Sequence, residues 1–296
     1  MKVHDAVRAA PGPALRVGGA SSPPPIPAPL ESPNIRVRHL LTLYFLVFII
    51  AGTYVGLHAR HWDPLWGAQL FQLLVHALIA SFTVVLSLIV PQMRRSLPIL
   101  YATPREPLAP TDAFLFMGLM LTWALGAAQM LFVYPLLLWK PDLFGALGYQ
   151  ETIAELSPIV ILAFTATGSL LAPFSEELLF RGYFLNLLRR RFGLWSAILL
   201  ASILFGAGHR WGAPFATVAG VFFSLLYLRY ASLVPGTLLH GLHNLLVGPL
   251  VLGPYFLVKS SARIGELSEW IPQLVATAAF VPLCWIFWRR FRPAPQ

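Results

Sequence analysis

Few strongly polar residues lie in the long apolar runs of this chain, and those few recur at helical spacing. In "APFSEELLFRGYF", residues 172–184, Glu177 and Arg181 stand four apart and share a helix face, so they can pair as ions. Glu176 points about 100° away from Glu177, toward some other partner. In "FGAGH", Phe205 and His209 are one turn apart; in "HGLHN", His240 and Asn244 share a face and His243 turns aside. A charged side chain near the middle of a bilayer costs roughly 3 kcal/mol or more, so this set is too expensive to be incidental. Two histidines, an asparagine and a carboxylate sharing one poorly solvated cavity could exchange protons with a water or with one another.

The elements that must hold these groups are membrane helices. The 296 residues are 57% hydrophobic and 11% charged, with a mean hydropathy of +0.70. An ordinary soluble domain is roughly 25% charged. The net charge of +9 and pI near 10.1 could suggest nucleic acid. That reading needs a basic soluble face, however, and here the basic residues fall between apolar runs, so no nucleic-acid partner is expected. The single cysteine, Cys284, builds neither a disulfide framework nor a thiolate metal site.

The expected fold is all-α: a polytopic transmembrane bundle of about eight spans. They lie near 40–57, 68–90, 113–139, 158–188, 193–209, 214–231, 233–252 and 270–288. Residues 1–37, rich in Pro, Ala, Ser and Gly, read as a disordered cytoplasmic tail without the apolar core of a secretory signal. N-terminal transmembrane helices then occupy 38–157, a polar-bearing core 158–252, and a last helix with a basic tail 253–296. With the amino terminus in the cytoplasm, most of the 21 Lys and Arg residues face inside, including Arg94 and Arg95, Arg189 to Arg191, and Arg289 and Arg290. Both termini are then cytoplasmic. By helical rise, Glu176 lies roughly 20 Å deep, His209 roughly 24 Å, and His240 and Asn244 roughly 11 to 17 Å, depths that overlap in tilted or broken helices.

"EELLFR", "FGAGH" and "HGLHN" match EExxxR, FxxxH and HxxxN in order and at similar separations. On these motifs the chain resembles the CAAX protease and bacteriocin-processing (CPBP, or Abi) family of intramembrane proteases over about 158–252. The resemblance implies a CAAX-protease-like core that hydrolyses a peptide bond within the membrane. Glu176 and His209 would activate a water, and His240 and Asn244 would stabilise the oxyanion, with Glu177, Arg181 and Phe205 in support. The partners implied are the lipid bilayer and a membrane-tethered protein or peptide, cut near its C-terminus. The Ala-, Arg- and Pro-rich composition points to a bacterial inner membrane.

Members of that family are often labelled metalloproteases, and Glu176, His209 and His240 could in principle form a zinc site of two histidines and one carboxylate. No HExxH is present, and a metal-free water between Glu176 and His209 is the preferred reading, so no cofactor is assigned. Two other function classes compete. Intramembrane Glu and His also suit a transporter or proton relay, although no inverted halves with matching broken helices are visible. A catalytically silent scaffold or immunity factor would use Glu176, Glu177 and Arg181 only as a knot between helices.

Overall fold

The structure is a computed structural model that describes residues 37–58, 64–133, 165–209, 213–246 and 267–293, with single residues at 135, 139 and 162. Every regular element among the described residues is helical. Helices α1 (Val37–His58) and α2 (Pro64–Ile89) are followed by a short α3 (Pro91–Leu100). Helix α4 (Pro110–Thr122) continues into π-helical stretches at Trp123–Ala127 and Gln129–Val133. Four consecutive stretches, Thr167–Leu171, Ala172–Glu176, Glu177–Leu185 and Asn186–Phe192, follow one another without a break and form α5. Then come α6 (Leu194–Ala207), α7 (Ala213–Tyr230), α8 (Leu233–Leu245) and α9 (Leu267–Phe291).

These elements bear out the all-α membrane bundle. Three helical segments among the described residues, Pro110–Phe132, Ala213–Tyr230 and Ile271–Phe291, are long and apolar enough to cross a membrane, or four spans if the bent α2–α3 pair counts as one. The expected total of about eight is not reached by that measure. Helices α6 and α8 have 14 and 13 residues, a rise of only about 20 Å each. The expected tail at 1–37 falls, except for Val37, outside the described residues, as do most of 134–164 and all of 247–266.

Helix α3 departs from the sequence expectation, which left residues 91–100 in a charged inside loop. Pro91 removes the N–H that would have continued α2, and the chain bends by 108°. Met93, Ser96 and Leu100 then bury one helical face while Arg94 and Arg95 stay exposed. The two arginines masked an amphipathic helix.

Between helices in lipid, contact rather than water exclusion supplies the attraction, so close approach matters. The antiparallel pair α6 and α7 shows it: a Cβ added at Gly220 would lie 2.9 Å from the Ser202 Cβ. The core is largely aromatic around Phe116, Phe223 and Phe287, with Phe116 to Phe223 at 5.1 Å and Phe222 to Phe287 at 5.5 Å between ring centres.

Polar contacts gather one end of the bundle. Arg229 pairs with Glu106 at 2.8 Å, and the Tyr230 hydroxyl donates to Asp112 at 2.7 Å. The Arg290 Nε also donates to Asp112, and the Ser232 hydroxyl donates to the Ala102 carbonyl at 2.7 Å. Asn186, next to the triple arginine, donates to the Tyr227 hydroxyl at 3.0 Å. The start of α4 and the ends of α5, α7 and α9 therefore share one end of the bundle.

Candidate active site

Helix α5 carries both carboxylates. Glu176 ends an α-helical turn and Glu177 opens nine π-helical residues. The wider i to i+5 turn of a π-helix is uncommon and often accompanies functional sites. Here both carboxylates reach one imidazole: Glu177 Oε1 lies 3.0 Å from His240 Nδ1, and Glu176 Oε2 lies 3.7 Å from His240 Nε2. The sequence expectation turns Glu176 toward a partner other than Arg181, and its carboxylate faces His240, one of the histidines the sequence grouped with it. A single ring with a nitrogen at each side can serve two neighbouring acids.

The same Glu177 oxygen accepts from Arg181 Nη1 at 3.0 Å, one turn along α5. Arg181 is fully buried; its Nη2 donates to the Gly220 carbonyl at 3.2 Å. Its guanidinium carbon sits 4.5 Å from the ring centre of Phe205 and 5.2 Å from that of Phe223. Two aromatic faces and a carboxylate thus replace the water that the cation has lost. Since a carboxylate paired to arginine only accepts, His240 carries its hydrogen on Nδ1, and Nε2 is the nitrogen turned toward Glu176. Phe223 stacks on the imidazole at 4.4 Å and Phe205 meets it edge-on at 5.9 Å, which fixes the ring plane.

His209 follows the C-terminus of α6. Its Nδ1 lies 2.8 Å from the Phe205 carbonyl in the last turn of α6, where carbonyls lack the usual i+4 partner. That carbonyl also accepts from the Gly208 N–H at 3.3 Å, and since a carbonyl can only accept, His209 is a donor at Nδ1 and Nε2 is the atom able to take a proton. Its ring packs on Phe205 at 4.6 Å, so Phe205 touches both histidines and Arg181.

Asn244, one turn beyond His240, donates to the Gly168 carbonyl at 2.8 Å, across to the first π-helical stretch of α5. Gly241 makes this approach possible: a Cβ there would sit 2.4 Å from the Ser169 carbonyl oxygen. His243 is buried apart from this group and stacks on Phe215 at 6.4 Å. Phe223 and the Gly168 and Gly220 carbonyls went unread in the sequence, where one Phe or Gly among many in apolar helices carries no signal.

The sequence also left open a zinc site at Glu176, His209 and His240. Among the described residues no three His, Cys, Asp or Glu side chains are arranged to hold a metal ion. These residues do not fit a metal in this arrangement, and no chemical step here passes through one.

Residues 158–246 match the family described as "Type II CAAX prenyl endopeptidase Rce1-like". The chain is also 36% identical over 121 residues to an "Uncharacterized 24.3 kDa protein" of Escherichia coli, an overlap of 40% of this chain and 55% of that protein. It therefore spans about half the length of the curated relative it matches. No solved structure matches the chain. The 158–246 segment, with all three motifs in place, is that of the CAAX protease and bacteriocin-processing, or Abi, family.

Proposed function

We propose that the protein is an intramembrane endopeptidase that hydrolyses a peptide bond near the C-terminus of a membrane-associated protein or peptide. One observation carries this reading: a buried imidazole is held by one carboxylate at 3.0 Å and faced by a second at 3.7 Å, in a chain otherwise built for lipid. The shorter contact anchors the ring. The longer one is beyond a hydrogen bond and leaves a reacting group room to sit against Nε2 and Glu176 together.

In this reading Glu176 takes a proton from a water that His209 Nε2 helps to orient, and the resulting hydroxide attacks the scissile carbonyl carbon. His240 and Asn244 donate to the oxyanion that forms. In that role His240 donates from both nitrogens; with the water's proton held on Glu176, the Glu177 carboxylate, the His240 imidazolium, Arg181 and the oxyanion together carry no net charge, which a low-dielectric site tolerates. Asn244 gives one amide hydrogen to Gly168 and the other to the oxyanion. Glu176 returns its proton to the leaving amine as the C–N bond breaks. The bundle sits in a bacterial inner membrane with both termini and the arginine-rich face in the cytoplasm, consistent with the positive-inside rule.

The test is cleavage of a membrane-associated peptide by the purified full chain in detergent. Glu176→Gln and His209→Ala are expected to abolish turnover with helix content unchanged. Full turnover by Glu176→Gln would remove the proposed base. A phenotype in cells that survives Glu176→Ala would instead indicate a silent scaffold.

A further inference from the structure

The tertiary fold joins two cationic segments that stand nearly a hundred residues apart in sequence. Arg189, Arg190 and Arg191 occupy the last turn before Gly193, and Arg289 and Arg290 the last turn of α9. The contact that joins them is Trp195 on Trp288, with ring centres 5.4 Å apart. Both indoles are half-exposed, at 49% and 41%. Arg289 lies over the Trp285 ring at 4.8 Å, and Arg191, Arg289 and Arg292 are all exposed.

The positive-inside rule accounts for each cluster separately, and the Trp195–Trp288 contact sets the segments that carry them side by side although like charges repel. The described acids at this end are already engaged, Glu106 by Arg229 and Asp112 by Tyr230 and Arg290. What complements the corner is an external anion with an apolar body. Arginine binds phosphate through two parallel N–H donors, and exposed tryptophans favour the boundary between headgroups and acyl chains. Below the arginines the α9 surface offers exposed Val281 and Trp285 for a chain to lie on. We propose that the corner between the α5–α6 turn and the end of α9 seats the headgroup of an anionic phospholipid.

The experiment follows lipid retention by the full chain during exchange from mixed micelles of phosphatidylglycerol and phosphatidylcholine, read by native mass spectrometry. The wild type should retain phosphatidylglycerol at least tenfold in preference. Each corner arginine gives the phosphate charge-assisted N–H donors, so Arg191→Gln/Arg289→Gln should weaken retention about 30-fold. The pair Arg94→Gln/Arg95→Gln makes the same charge change on α3, away from the corner, and should stay within about twofold of wild type at a salt concentration that screens the general surface charge. Arg191→Lys/Arg289→Lys, with charge kept and the paired donors lost, should fall between. Equal losses in the two glutamine pairs would mean only general attraction to a basic face and would overturn the proposal. So would a corner variant that keeps its preference, or a wild type with none.

Discussion

Removing Arg181 tests the electrostatic core of the site most directly. Arg181→Gln leaves Glu177 as a fully buried carboxylate without its guanidinium, and takes away the donor to Gly220 and the cation over Phe205 and Phe223. Breaking a buried pair from one side costs about 3–5 kcal/mol. Replacing both partners by apolar residues should cost less, because no unpaired charge is buried. The double variant Arg181→Leu/Glu177→Leu still strips His240 Nδ1 of its acceptor, a penalty of about 1–3 kcal/mol. The double should therefore be about 2 kcal/mol more stable than Arg181→Gln and less stable than wild type. Both should be inactive, since His240 has lost its orientation in one and the charge balance around it in the other. Denaturant unfolding in mixed micelles, followed by circular dichroism, measures the difference. A single variant as stable as wild type, or a double no better than the single, would show that Arg181 and Glu177 do not act as a buried ion pair.

Three further variants probe the scaffold. Gly241→Ala drives a Cβ to 2.4 Å from the Ser169 carbonyl and should push α8 from α5, lowering stability by about 1–3 kcal/mol and cutting turnover; an unchanged kcat would refute the close approach. Gly126→Ala places a Cβ 2.5 Å from the Thr277 backbone nitrogen and should loosen α9 at a similar cost while residual folded protein keeps its kcat, checked by denaturant unfolding alongside a cleavage assay. Asp112→Asn removes the carboxylate shared by Tyr230 and Arg290 and should cost about 1–2 kcal/mol, discounted because Arg290 is 46% exposed; an unaltered thermal midpoint would discount the clasp.

Legibility differed from residue to residue for physical reasons. A charge in an apolar run is expensive wherever it lies, so Glu176, Glu177, Arg181, His209, His240 and Asn244 stood out before any coordinate, and their spacing on single helices foretold the Glu177–Arg181 pair. Periodicity also yielded most helix limits, such as Ala213–Tyr230 against an expected 214–231. It failed at α3, where two arginines on the wet face of a short helix looked like a loop.

Local chemistry and solvent were thus written in the sequence: which groups are too polar for lipid and which lie one turn apart. Tertiary packing alone decided that His240 would face both carboxylates, that Phe205 would touch both histidines, that Asn244 would reach the Gly168 carbonyl, and that Trp195 would meet Trp288. Those contacts join helices far apart along the chain. Their geometry depends on how closely backbones approach and how wide each turn is, quantities set by the whole packed bundle rather than by any one segment.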